Sequence, residues 1–202
     1  MKRRPRSSSP SSPGIPARER WWIGARLRWT ARARCKDDIT ARFRAEVARA
    51  LALASALPVE QAQQPVHLPR SFGIEDSHRD WSVYMALEHL VLVNTTVTAM
   101  LPRLYAGRAP ASALRVEDAK PSPTAGPEQI ERLALLVERY TDTVDKLGNL
   151  HLGSVYPHPW FGPLSAAQWH ALAAIHNRLH RRQIERIVAA LRRASRIRPL
   201  PK

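Results

Sequence analysis

A single cysteine, Cys35, stands in the 202 residues. An internal disulfide is therefore excluded, and so is a zinc site built on several thiolates. That usage is compatible with a reducing compartment, and a cytoplasmic location is expected. Glycine is also scarce, at 8 residues, while Ala, Leu and Arg abound, which favours helix over sheet. No segment of any length alternates in the manner of a strand. No stretch reaches the roughly 18–20 apolar residues that a membrane span needs. The opening Lys2-Arg3-Arg4-Pro5-Arg6 leads into Ser and Pro instead of an apolar run, so it reads poorly as a secretory or twin-arginine signal.

Acidic residues are lacking at both ends. Residues 1–49 hold 14 Lys/Arg against 4 Asp/Glu, and residues 177–202 hold 9 against 1. Residues 50–176 hold 9 against 12, so the net charge of +15 belongs to the ends. A nucleic-acid-binding domain carries its basicity on the folded face that does the binding. With a slightly acidic middle and no nucleic-acid motif, no specific nucleic-acid partner is expected. Salt-sensitive binding of the basic ends to nucleic acid or an anionic membrane ranks last among the readings.

Residues 1–36 read as a basic extension that is largely disordered, with Ser, Pro and Arg dominating its first half. Within it, Trp21, Trp22, Ile23, Leu27 and Trp29 fit a short basic amphipathic helix that docks on the domain or touches a membrane surface. Coding sequence upstream of the true start would look the same. Residues 37–197 form the expected domain.

Four helices are expected there. The first runs from about Asp38 to Leu57, with Ile39, Phe43, Val47, Ala50 and Ala54 at steps of three and four, and Pro58 ends it. Gln64 to Ser71 is an extended connector. The second runs from near Ser77 to Leu101, where Pro102 stops it, with Trp81, Met85, His89, Leu92 and Thr96 along one face. A Pro- and Ala-rich loop of about 25 residues follows, long for a bundle connection. The third opens at Pro127 and carries the seam Ile130, Leu133, Val137, Tyr140, Val144 and Leu147, with Gly148 as its stop. Ser165 and Gln168 make the capping box of the fourth, which runs to about Arg196. The fold class is all-α: a four-helix bundle with a long crossover loop between its second and third helices.

His176 and His180 lie four residues apart in the fourth helix, so both imidazoles reach one point on one face. Alone, such a pair matches many surface histidines. A third histidine, His89, is expected on the buried face of the second helix. Three nitrogens leave a divalent ion one or more open positions, the mark of a catalytic site. An ion there activates a water or polarises a substrate oxygen or thiolate. Nitrogen ligands favour Zn²⁺ or Ni²⁺, with Fe²⁺ next, over Mg²⁺ or Ca²⁺. For any one of these residues, a satisfied core histidine is the competing reading. Glu88 points about 100° away from His89 and His170 about 240° away from His176, so both are expected elsewhere. Asp142 and Asp145 read as a solvated face, and Cys35 as an exposed thiol.

The stretch Arg79 to Leu90, the loop His158-Pro-Trp-Phe-Gly-Pro-Leu-Ser165 and the ending His176-Asn-Arg-Leu-His180-Arg-Arg-Gln183 resemble the DinB-like superfamily over roughly residues 37–195. That group includes YfiT-type metal-dependent hydrolases and thiol-dependent transferases. The resemblance implies a bundle, often dimeric, with a divalent metal on His89, His176 and His180, and a small-molecule or low-molecular-weight thiol substrate. It leaves the reaction and any catalytic residue unassigned. Two departures stand out: Arg182 takes the usual glycine place of the His-Arg-Gly-Gln ending, and Leu179 replaces a frequent histidine. His158, Trp160 and Gln183 are candidate pocket residues, although Trp160 and Phe161 equally suit a plug at the bundle end. The competing function is a non-catalytic helical stress-response or binding module with structural histidines.

Overall fold

The computed structural model describes residues 14–108 and 115–197. Its helices are α1 (Ala17–Ala33), α2 (Lys36–Ser55), α3 (Val59–Gln63), α4 (Val83–Tyr105), α5 (Glu128–Asp145) and α6 (Ala166–Ile197). The bundle consists of α2, α4, α5 and α6. Round the ring, α2 packs on α6, α6 on α4, α4 on α5 and α5 on α2.

Apolar periodicity sets this arrangement. From α2, Ile39, Phe43, Val47, Ala50 and Ala54 are all buried, and Phe43 stacks on Tyr140 of α5 with ring centroids 4.1 Å apart. Leu133, Val137, Tyr140 and Val144 of α5 face inward, as do Ile184 and Ile187 of α6. Each large side chain so buried contributes about 1.5–3 kcal/mol. The caps follow the sequence. Cys35 Sγ accepts from Asp38 N at the start of α2. Ser165 N donates to Gln168 Oε1 at 2.9 Å while Gln168 N donates to Ser165 Oγ at 3.4 Å, the reciprocal box that opens α6.

Several local expectations change. Residues 155–165 are a β-hairpin, not a loop: β1 (Val155–His158) pairs antiparallel with β2 (Gly162–Ser165), Val155 opposite Ser165 and His158 opposite Gly162. Pro157 and Pro163 face each other in this register, and their fixed φ suits extended backbone at a short edge. The second bundle helix starts at Val83, not Ser77, with Ser82 Oγ accepting from Met85 N at 3.1 Å. The connector explains the delay, because Val66 N donates to Trp81 O and Leu68 N to Arg79 O. These bonds tie the stretch before α4 to the connector and leave Asp76–His78 as a separate 3₁₀ turn. Pro102 does not stop α4, which continues to Tyr105. The one backbone bond it removes is outweighed by burial of Leu101 and Leu104.

By length and composition α4 alone among the described helices could cross a membrane. Most of its residues are instead buried within the bundle, Asn94 and His89 included.

Residues 17–33, within the stretch read as largely disordered, take the alternative of a helix docked on the domain. They form α1, which packs on α6 with Ile23, Leu27 and Ala31 buried. Glu19, buried, pairs with Arg70 Nη1 at 2.7 Å and accepts from Gly73 N at 2.8 Å. Arg28 Nη2 donates to Phe161 O at 2.9 Å. Residues 1–13 lie outside the described residues.

Candidate metal centre

Four imidazoles meet where α4 faces α6. His89 comes from α4, and His176 and His180 from successive turns of α6. Ring centroids are 5.0 Å apart for His89 and His176, 4.5 Å for His89 and His180, and 4.5 Å for His176 and His180. The fourth ring, His78, ends the 3₁₀ turn and stacks on Trp81 at 3.9 Å. One ring nitrogen each from His78, His89 and His180 lie within 4.8 Å of one another. His176 joins through Nε2, 3.1 Å from His89 Nε2.

Hydrogen bonds outside the cluster decide which nitrogens are bare. His89 Nδ1 lies 2.6 Å from Ala119 O, so it carries the proton and Nε2 holds the lone pair. Gln183 Nε2 donates to the carbonyl of His78 at 2.7 Å, which turns Gln183 Oε1 toward His180 Nδ1 at 2.8 Å. His180 therefore donates from Nδ1 and also presents a bare Nε2. An outer acceptor that fixes the tautomer of an inward imidazole is the usual support of a metal-ligating histidine.

All four rings are held neutral. Burial pushes His89 down to about 4. Burial, with the nearby His89, pushes His78 to about 2. His176 and His180 fall well below the usual histidine range, first through burial and then through the neighbouring histidines. Near pH 7 the cluster is a set of uncharged nitrogen donors, the form that binds metal.

The donor set fits a divalent transition metal. Ligands about 2.0–2.1 Å from an ion, at angles between 90° and 109°, sit roughly 2.9–3.4 Å apart, and the His89–His176 separation of 3.1 Å falls inside that span. His176 is also left unsatisfied by the protein. Its Nδ1 is buried with no hydrogen-bond partner among the described residues, and so is that of His78. A proton on His176 Nε2 could bond to His89 but leaves the Nδ1 lone pair orphaned. A proton on Nδ1 leaves a buried N–H orphaned and sets two Nε2 lone pairs against each other. A cation between the Nε2 atoms removes that repulsion.

The model of the DinB superfamily matches residues 42–184. The chain belongs to the DinB superfamily. The matched residues contain His78, His89, His176, His180 and Gln183 and leave out α1. Among solved structures, the chain is similar to the crystal structure of TT2238, a four-helix bundle protein, with a TM-score of 0.56 and 22% identity over 75% of this chain and 99% of that one. At that identity the likeness concerns the fold. No curated protein matches the chain.

The other sites expected from the resemblance to this superfamily fall in different places. Gln183 is buried and bridges His180 to the His78 backbone. His158 is on β1, where its Nδ1 accepts from Trp160 N at 3.1 Å and its ring meets Phe161 and Trp169. Trp160 packs half-buried against the core at the bundle end. His170 stays apart from the cluster as a satisfied core histidine. Its Nδ1 accepts from Tyr140 Oη at 2.6 Å and its Nε2 donates to Lys36 O at 3.1 Å. Glu88 anchors the crossover, with Oε2 accepting from Ser122 N at 2.6 Å.

Two participants were missing from the sequence reading. One is the Ala119 carbonyl, which composition does not mark. The other is His78, which the sequence reading does not single out. It stands in a separate 3₁₀ turn five residues ahead of α4, where helical counting from His89 does not reach it.

Proposed function

We propose that this DinB-superfamily protein is a metal-dependent enzyme acting on a small molecule, with His89, His176 and His180 as the ligands of a divalent ion. Zn²⁺ or Ni²⁺ suits three imidazoles best, with Fe²⁺ next. The observation that carries the reading is the pair of Nε2 atoms at 3.1 Å, one of them bare because Ala119 holds the proton on the far side of its ring. Bound there, such an ion would polarise a substrate oxygen or thiolate, or activate water. The resemblance to thiol-dependent members supports a low-molecular-weight thiol as substrate or co-substrate, and hydrolysis is the other reaction class. We place the protein in the cytoplasm, where the exposed Cys35 stays reduced. We also infer a homodimer, in keeping with the exposed Leu135 on α5.

His78 favours a second reading. With its nitrogen as a fourth ligand the coordination closes, as in structural sites, and the ion serves a non-catalytic bundle. Metal analysis of the purified protein, reloaded after chelation, tests both. About one Zn²⁺ or Ni²⁺ per chain is expected, abolished by His176→Ala and retained by His78→Ala. Wild-type protein that cannot be loaded would sink the metal reading. Loss of metal in His78→Ala would favour the closed site.

A further inference from the structure

A cleft of about 820 Å³ opens on the far side of α6 from the bundle interior, between α1 and α2. One wall is a single face of α1, on which Trp22, Arg26 and Trp29 follow at helical spacing. Another is α6, which contributes Arg178 and Arg182 around Leu179. Arg42 enters from α2 and Phe72 from the connector. None of the four clustered histidines lines it.

Its chemistry is one-sided. Four guanidinium groups face one carboxylate, Glu46, and Arg181 Nε already holds that carboxylate at 2.7 Å. Among the described residues, Arg26, Arg42, Arg178 and Arg182 make no ion pair with an acidic side chain. Burial, then the like charge of Arg182, with Arg26 and Arg181 adding to it against Glu46, holds the Arg178 guanidinium below its usual range. Crowded cations without counter-ions in a walled recess focus a field that a bound anion relieves. Guanidinium forks also match carboxylate, sulfonate and phosphate oxygens.

The aromatics supply the other half. Trp22, Trp29 and Phe72 are 61%, 52% and 53% exposed. Three large aromatic side chains at one recess leave apolar surface that a partner can cover. The size of the recess lies within the roughly 300–1,000 Å³ of small-molecule sites.

We propose that this cleft binds a small organic anion with a flat apolar body, its acidic group on the arginines and its body against Trp22, Trp29 and Phe72. The site is separate from the histidine cluster and does not depend on the metal. Because α1 precedes the family-matched residues 42–184, one wall of the site lies outside that match. Residues 1–13 are poor occupants, since Lys2, Arg3, Arg4 and Arg6 come with no acidic residue. The recess is concave, which suits a compact ligand better than the flat face of a bilayer.

The test uses the full chain and two matched fluorophores, 8-anilinonaphthalene-1-sulfonate and its uncharged analogue N-phenyl-1-naphthylamine. The sulfonate should bind saturably and quench tryptophan fluorescence, and the neutral analogue should bind at least about tenfold more weakly. Arg178→Glu/Arg182→Glu and, separately, the milder Arg26→Gln/Arg42→Gln should each weaken sulfonate binding by about tenfold or more. Unfolding curves establish that each variant is folded. His176→Ala should bind the sulfonate like the wild type. Equal affinity for both fluorophores, or sulfonate binding indifferent to both arginine pairs, would overturn the proposal. So would absence of saturable binding, whether the protein then sediments with phosphatidylglycerol vesicles or self-associates through this face.

Discussion

Asn94 of α4 and Asn177 of α6 exchange hydrogen bonds: each Nδ2 donates to the other's Oδ1, at 3.1 Å and 3.0 Å. Both are fully buried, and Asn177 Nδ2 also donates to Ala173 O at 2.8 Å. The pair locks the two helices that carry His89 and His176. Removing one partner strands the other in the core, at a cost of about 1–3 kcal/mol plus the cavity. Asn177→Ala should therefore lower the urea midpoint clearly. Asn94→Leu/Asn177→Leu should cost less than the sum of its single changes, because neither polar group is then stranded. A double-mutant cycle measures this, and strict additivity would contradict it.

Gln183 gives the second prediction. It holds the His180 tautomer while tying the 3₁₀ turn to α6. Gln183→Leu should weaken Zn²⁺ binding by about 10–100-fold, as loss of an outer-shell partner does. Competition against a chromophoric chelator reads this directly. Unchanged affinity in a folded variant would mean that packing alone orients His180.

The bundle helices were legible because burial at every third and fourth residue is a local property. Leu133, Val137, Tyr140 and Val144 announce α5, and Ser165 with Gln168 announces α6. The orientations of His89, His176 and His180 followed from the same counting. His78 did not, because the backbone bonds of Val66 to Trp81 and of Leu68 to Arg79 decide its place. That pairing joins segments whose own patterns say nothing of each other. The docking of α1 was one of several open readings for a similar reason. An Arg- and Trp-rich helix with a narrow apolar stripe reads alike whether the stripe meets α6, a membrane or water.

His170 carries the pH prediction. Burial lowers it to about 4 from an ordinary value near 6.5. The unfolded chain therefore binds the proton more tightly, and stability rises with pH across this window. The contribution is complete above about pH 6.5 and is lost as pH falls through about 4. Measured with chelator present, His170→Gln should be less stable than wild type at pH 7, and its stability should fall less between pH 7 and pH 4.5. Its metal content at pH 7 should equal that of the wild type. Parallel pH curves would show that His170 does not titrate in this way.

Gly73 tests how α1 is held. Its φ is +77°, and an added Cβ would lie 3.1 Å from Leu179 Cδ1 and 3.2 Å from Ile23 Cδ1. Its N–H is also the donor to Glu19. Gly73→Ala should cost about 1–3 kcal/mol from backbone strain and crowding. Hydrogen exchange should then rise in residues 17–33 before it rises in the bundle. Uniform destabilisation would mean that α1 and the bundle open together.

The histidine convergence joins distant stretches of chain: the turn at His78, the middle of α4, the crossover through Ala119 and two turns of α6. An ion held by His89, His176 and His180 would work as a cross-link, closing the loop from His89 to His180 as a disulfide would, and longer closed loops remove more entropy from the unfolded chain. With one cysteine, the chain has no disulfide with which to do this. Metal supply would then set how long the folded molecule survives, whatever reaction it performs.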